Sequence, residues 1–183
     1  DNFDIDNYLF FPILLNPDKS LWKLANRYLL YKLKSFEIPS PKTLDTIATD
    51  LKDFKNYCNS EGIDYLDVPR KVFSPIKRYK KHLMIKLYNN MISPNTIKRR
   101  ISSVTAFYDW LIKYENIKFK FPLWSEGETY ISYQDTYGKT NYKRVKTKDI
   151  MQVPKNNKLE LSFIIFNCPI NRSKNANSIH IKT

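Results

Sequence analysis

Three carboxylates within one short stretch, Asp45, Asp50 and Asp53, are what a Mg²⁺-dependent nuclease would need. Asp45 and Asp53 are eight residues apart, near one face of a helix, whereas Asp50 points elsewhere. Acids early in a helix also meet its dipole favourably, so the spacing predicts a solvated acidic face and no metal site. His82 and His180 have no Cys, Asp or Glu at metal-ligand spacing, which argues against zinc. His82, between Lys81 and Leu83 on a basic segment, reads as a surface residue, with a phosphate contact as the alternative. Cys58 falls on the apolar side of its helix as a small hydrophobe. Cys168 is far from it with no pairing pattern, so a reduced, cytoplasmic compartment is expected. Walker, Rossmann and Gly-x-Ser-x-Gly patterns are absent, and the chain has only three glycines. No catalytic residue, metal or cofactor is therefore assigned.

The charge is more informative. The 183 residues carry 31 Lys and Arg against 18 Asp and Glu, a net +13. Residues 1–40 are neutral and 41–69 carry −3, while 70–120 carry thirteen bases against two acids, a net +11. The remaining residues, 121–183, carry +5. A compositional bias toward lysine would spread evenly, so this concentration points to a surface for a polyanion, DNA or RNA. The longest apolar run, Leu9–Leu15, is broken by Pro12 and too short to span a bilayer, so no membrane is expected.

These charges need elements to position them. Ser40-Pro41, Ser74-Pro75 and Ser93-Pro94 each precede a helical pattern, and Ser at the N-cap followed by Pro is a helix start. From 41 the apolar positions are Leu44, Ile47, Ala48, Leu51, Phe54 and Cys58, with Gly62 as the stop. From 75 they are Ile76, Tyr79, Leu83 and Leu87; from 94, Ile97, Ile101, Val104, Tyr108 and Leu111, widened by Phe107 and Trp110. An earlier helix is expected from about 20 to 36, capped by Ser20, with Leu21, Leu24, Tyr28 and Tyr31 on one side. Residues 128–136 and 141–147, around Tyr137-Gly138-Lys139-Thr140, predict a β-hairpin, and Leu159–Phe166 a further strand. The expected fold is mainly α: a small bundle of four to five helices with a C-terminal extension containing a β-hairpin.

On the helix from 94, burial of the apolar stripe puts Lys98, Arg99, Ser102, Thr105 and Lys113 outward, with Asn95 and Thr96 in the first turn. Free N–H groups, small polar side chains and arginines one turn later suit phosphates and groove edges. Arg99 and Arg100 are candidates for bidentate contacts to guanine or phosphate. Lys77, Lys80 and Lys81 are added from charge alone.

The run from Ile92 through Ser93-Pro94-Asn95-Thr96-Ile97-Lys98-Arg99-Arg100 to Leu111 resembles the last long helix of the core-binding domain in tyrosine recombinases, the phage integrase family. Thr43–Tyr57, with Asp50-Leu51-Lys52-Asp53-Phe54 and then Glu61-Gly62, is similar to that domain's first helix and turn, and Arg78-Tyr79 falls where its middle helices begin. The resemblance spans about residues 41–115 and implies a SAM-like helical bundle forming half of a clamp on duplex DNA. It implies DNA contacts at Lys42, Thr43, Thr96, Lys98, Arg99 and Arg100. It also implies a tetramer on DNA for the full-length proteins. The family's His-x-x-Arg is absent, so the chain is expected to bind without cutting, as the N-terminal portion of a recombinase or as a catalytically dead relative. The expected divisions are an N-terminal extension at 1–40, the DNA-binding domain at 41–115, and a connector at 116–183 leading toward a catalytic domain. The rival readings are a helix-turn-helix-like regulator and a helical protein-interaction module, with the metal-dependent nuclease behind both.

Overall fold

The computed structural model describes residues 11–35, 40–134 and 136–153; Leu159–Phe166, Cys168, His180 and the polar end at 171–183 lie outside the described residues. The protein is mainly helical. Four helices, α1 (Lys23–Leu33), α2 (Pro41–Ser60), α3 (Pro75–Tyr88) and α4 (Pro94–Tyr114), precede an antiparallel pair, β1 (Glu126–Gln134) and β2 (Thr140–Lys148). Short 3-10 turns lie at Lys71–Phe73, between α2 and α3, and at Asp149–Met151, after β2.

All three Ser-Pro pairs start helices with proline at the first position. The hydroxyls of Ser40 and Ser93 accept the Thr43 and Thr96 amides at 3.3 and 3.2 Å, satisfying donors that lack intrahelical partners. Ser74 departs from the expected cap: its hydroxyl makes no cap bond and is buried with no partner among the described residues. The first helix also differs. It begins at Lys23 with Trp22 in the cap position, because Trp22 turns into the core while Ser20 bonds Asp18 at 2.6 Å. Leu21, expected on the buried side, is consequently 54% exposed.

Left-handed residues end α2 and α3. Gly62 (φ 62°) follows α2, and the Ile63 amide bonds the Cys58 carbonyl at 2.8 Å, a Schellman closure. Asn90 (φ 55°) does the same after α3, with the Met91 amide on the Lys86 carbonyl at 2.9 Å.

Inside, α4 packs on α1, α2 and α3. Its Ile97, Ile101, Val104, Phe107, Tyr108 and Leu111 are fully buried, as are Ile76, Tyr79, Leu83 and Leu87 of α3. Each such side chain contributes roughly 1.5–3 kcal/mol by leaving water. Trp22, Tyr28 and Leu29 join this core, so α1 is part of the bundle; eleven residues would not hold a helix in water without such packing. Trp22 packs edge-on to Tyr65 and Phe107, and donates its indole N–H to the Tyr65 hydroxyl at 2.9 Å. Leu123 and Ile150, which bracket the hairpin, are buried in the same core.

The hairpin pairs Glu126 with Lys148 through to Gln134 with Thr140, so β1 lies two residues earlier than the sequence predicts and β2 extends one residue further at each end, and Gly138 (φ 78°) supplies the left-handed turn position.

Candidate nucleic-acid interface

The first turn of α4 is built around the Ser93 cap, where Thr96 also shares a 3.0 Å hydroxyl contact with Ser93. From there an exposed strip runs along the helix through Asn95, Lys98, Arg99 and Ser102, residues three or four apart on one side. Thr105, expected outward, is instead buried: its hydroxyl donates to the Ile101 carbonyl at 2.7 Å, and Met151 from the hairpin's exit covers it. Ser102, Ala106 and Asp109 of α4 and Lys146, Thr147 and Lys148 of β2 line a cleft of about 310 Å³ beside the strip. Lys148 is committed there, bonding Asp109 at 2.6 Å and lying 4.0 Å from the Trp124 ring centre.

Beneath the strip sits a polar network linking three helices. Asp50 is fully buried, not on a solvated face as its sequence predicts. Its carboxylate accepts the Ser103 hydroxyl at 2.8 Å and faces an Arg99 Nη at 3.0 Å and Arg100 Nε at 4.0 Å. Asp53 accepts Arg100 Nη1 at 2.7 Å and the Tyr79 hydroxyl at 2.6 Å. Burial raises the Asp50 carboxyl above its ordinary value, although the Ser103 hydroxyl and the two arginines pull it down. Burial, followed by the Asp53 hydrogen bond, raises the Tyr79 phenol. The two carboxylates therefore hold arginines, and among the described residues no group of three or more His, Cys, Asp or Glu is placed to hold a metal.

The two arginines consequently differ. Arg99 keeps 46% of its side chain exposed while one corner is held, whereas Arg100 is 17% exposed and lies between Asp50 and Asp53. Arg100 is a tie between helices more than a free contact.

The α3 lysines also divide. Lys81 is exposed, but Lys77 Nζ lies 2.8 Å from the Asp149 carboxylate, and Lys80 donates to the Asp149 carbonyl at 3.1 Å. Burial lowers the Lys80 ammonium, against the opposing field of Asp149. Asp149 in turn exchanges bonds with Ser125, its amide donating to the Ser125 carbonyl and its carboxylate accepting the Ser125 amide, both at 3.0 Å. Burial works to raise the Asp149 carboxyl, but the Lys77 and Ser125 hydrogen bonds and the two lysine charges outweigh it and hold it below the ordinary value. Lys77 and Lys80 thus fasten the hairpin's base to α3.

Lys42 and Thr43 are exposed on the first turn of α2. The pairs Asp50–Ser103 and Asp53–Arg100 run in opposite senses along α2 and α4. Lys42 and Thr43 therefore lie about 10–12 Å back along α2 from the meeting point, toward the far half of α4 and away from Asn95 and Thr96. His82 is half-buried against Tyr57, at 4.7 Å between ring centres, and burial followed by the Lys86 charge lowers its imidazole.

Sequence reasoning missed the network because it counted Asp50 and Asp53 as an acidic face. The signal was present: Tyr57, left out of the apolar stripe, is buried, and on a helical wheel Asp50 falls beside Phe54 and Tyr57. Compared with known proteins, the chain matches no family model, no curated protein and no solved structure. No described helix is long and apolar enough to cross a membrane.

Proposed function

We propose that this chain is a duplex-DNA-binding module of the site-specific recombinase kind, which grips DNA through the outward strip of α4 and does no cutting itself. One observation carries the reading: Arg99, exposed beside Lys98 and within two turns of the Ser93 cap, is held in place by the buried Asp50 carboxylate. A cation that is already oriented loses less freedom on meeting a phosphate or a guanine edge than one on a free side chain. Asn95 and Ser102 add neutral hydrogen-bonding groups, and Lys81 adds charge from α3. Similarity of Ile92–Leu111 to the last helix of a recombinase core-binding domain supports the recombination context, and assembly of several copies on one site would belong to it.

Fluorescence anisotropy with a random-sequence duplex, repeated across salt concentrations, tests the reading. Replacing Lys98 and Arg99 by alanine should reduce the slope of log affinity against log salt by about 0.9 per lost phosphate contact. An unchanged slope, or no duplex binding by the unaltered protein at low salt, rejects it.

A further inference from the structure

Beyond its inner end, where Lys146, Thr147 and Lys148 line the cleft beside α4, the β1–β2 ribbon stands away from the bundle with exposed residues on both faces. In β2, Thr140, Tyr142, Lys143, Arg144 and Lys146 are all exposed, and in β1 the same holds for Glu126 to Tyr130 and Ser132 to Gln134. A two-stranded ribbon is marginal in water without something to cover it. This one exposes tyrosines, Tyr130 at 68% and Tyr142 at 72%. Side chains alternate along a strand, so the register gathers Glu128, Tyr130 and Ser132 of β1 with Tyr142, Arg144 and Lys146 of β2 on one face. Tyr130 lies directly opposite Arg144, and Tyr142 is its diagonal neighbour, about 7–8 Å away in a regular pair. Two acids share this face: Glu128, held in an ion pair by Arg144, and Glu126 at the ribbon's inner end, opposite Lys148.

We infer that this face is a stacking platform for an unpaired nucleic-acid strand, with the two tyrosine rings taking successive bases and Lys146 meeting the backbone. Paired aromatic side chains flanked by cations bind single strands with little regard to sequence, because every base has a flat apolar face. In a duplex those faces are already covered by neighbouring bases. A purely phosphate-binding arm would need the lysines and not the rings. Lys146 adjoins the α4 strip across the cleft that it shares with Ser102, but the two tyrosines are not among the residues lining that cleft, so their substitution tests the platform apart from the duplex reading.

The test uses the whole chain and a dye-labelled oligothymidylate of about twenty nucleotides at low salt, long enough to cross several single-strand contacts. Tyr130→Thr with Tyr142→Thr, which keeps strand-forming side chains, should weaken binding at least about tenfold. The corresponding Tyr→Phe pair should bind as the unaltered protein does, and neither pair should change duplex affinity. Absence of oligothymidylate binding, equal binding by the Thr pair, or an equal loss of duplex affinity by that pair would each overturn the platform. Lys98→Ala with Arg99→Ala separates the two ideas: if it leaves duplex affinity intact, the duplex reading fails while the ribbon result is unaffected.

Discussion

A guanidinium nitrogen of Arg99 lies 3.0 Å from the carboxylate of Asp50, one residue partly open to solvent and the other fully buried. The adjacent Arg100 reaches Asp53 at 2.7 Å with only 17% of its side chain exposed. Consecutive arginines thus face different tasks, and single substitutions should separate them. Arg99→Ala should lower duplex affinity and cost about 1 kcal/mol of stability, since the buried Asp50 carboxylate loses its nearest cation but keeps Ser103 and Arg100. Arg100→Ala leaves Asp53 short of a partner in a mostly buried network and should cost about 2 kcal/mol in urea unfolding, with a smaller effect on binding. The reverse ranking would mean that the roles have been exchanged.

Asp50 itself should be more sensitive to truncation than to neutralisation. Asp50→Asn retains an acceptor for Ser103, whereas Asp50→Ala leaves Ser103 and Arg100 facing a gap, and should lose about 1–2 kcal/mol more. Equal unfolding midpoints for the two variants would show that the Ser103 hydrogen bond adds nothing.

Stability against pH should carry two opposite signatures. The folded protein raises Asp50 above its ordinary 3.8, so folding holds that proton longer than the unfolded chain does. The associated stability is full below 3.8 and is lost as pH rises through the folded value. Asp149 is lowered from the same 3.8, so its contribution is present above that value and is lost as pH falls through the folded one. Denaturant unfolding from about pH 3 to 7 should therefore show the advantage of the unaltered protein over Asp50→Asn shrinking as pH rises. Its advantage over Asp149→Asn should grow until the carboxylate is fully ionised. A growing advantage in the Asp50 comparison would contradict burial as the dominant influence there.

Asp149 also makes a local prediction, because Lys77 and the Ser125 amide both meet its carboxylate, whereas Lys80 meets its main-chain carbonyl. Asp149→Ala should loosen the ribbon's base, at a cost of about 1 kcal/mol given its partial exposure. Amide hydrogen exchange should quicken across β1 and β2 while the protected core of α4 is unchanged. Uniform quickening throughout the bundle would show that Asp149 supports the whole fold and not the ribbon.

What the sequence revealed was what is local. Ser-Pro pairs fix helix starts within four residues, and the 3.6-residue stripes of α2, α3 and α4 are carried by their own side chains, as is the ribbon's alternation around Gly138. The partners of the charged residues are not local. Lys80 is 69 residues from Asp149, and Ser103 is 53 from Asp50, so nothing in either neighbourhood distinguishes a lysine that holds the ribbon from one that faces solvent. The candidate strip was half legible for the same reason. Lys98, Arg99 and Ser102 follow from helical phase, whereas the removal of Arg100 and Thr105 from it depends on residues that arrive from α2 and from beyond β2.

The helix stops supply the last prediction. Gly62 and Asn90 occupy the same left-handed position after α2 and α3, at φ 62° and 55°. A Cβ added at Gly62 meets nothing within 4 Å, so Gly62→Ala isolates the backbone cost of that conformation, about 1 kcal/mol. Asn90 already bears part of this cost, and Asn90→Gly should relieve it, raising stability by several tenths of a kcal/mol despite the greater freedom of glycine in the unfolded chain. Thermal unfolding of the two variants should therefore shift in opposite directions. If Asn90→Gly lowers the midpoint, the asparagine side chain stabilises that turn by more than its backbone strain costs.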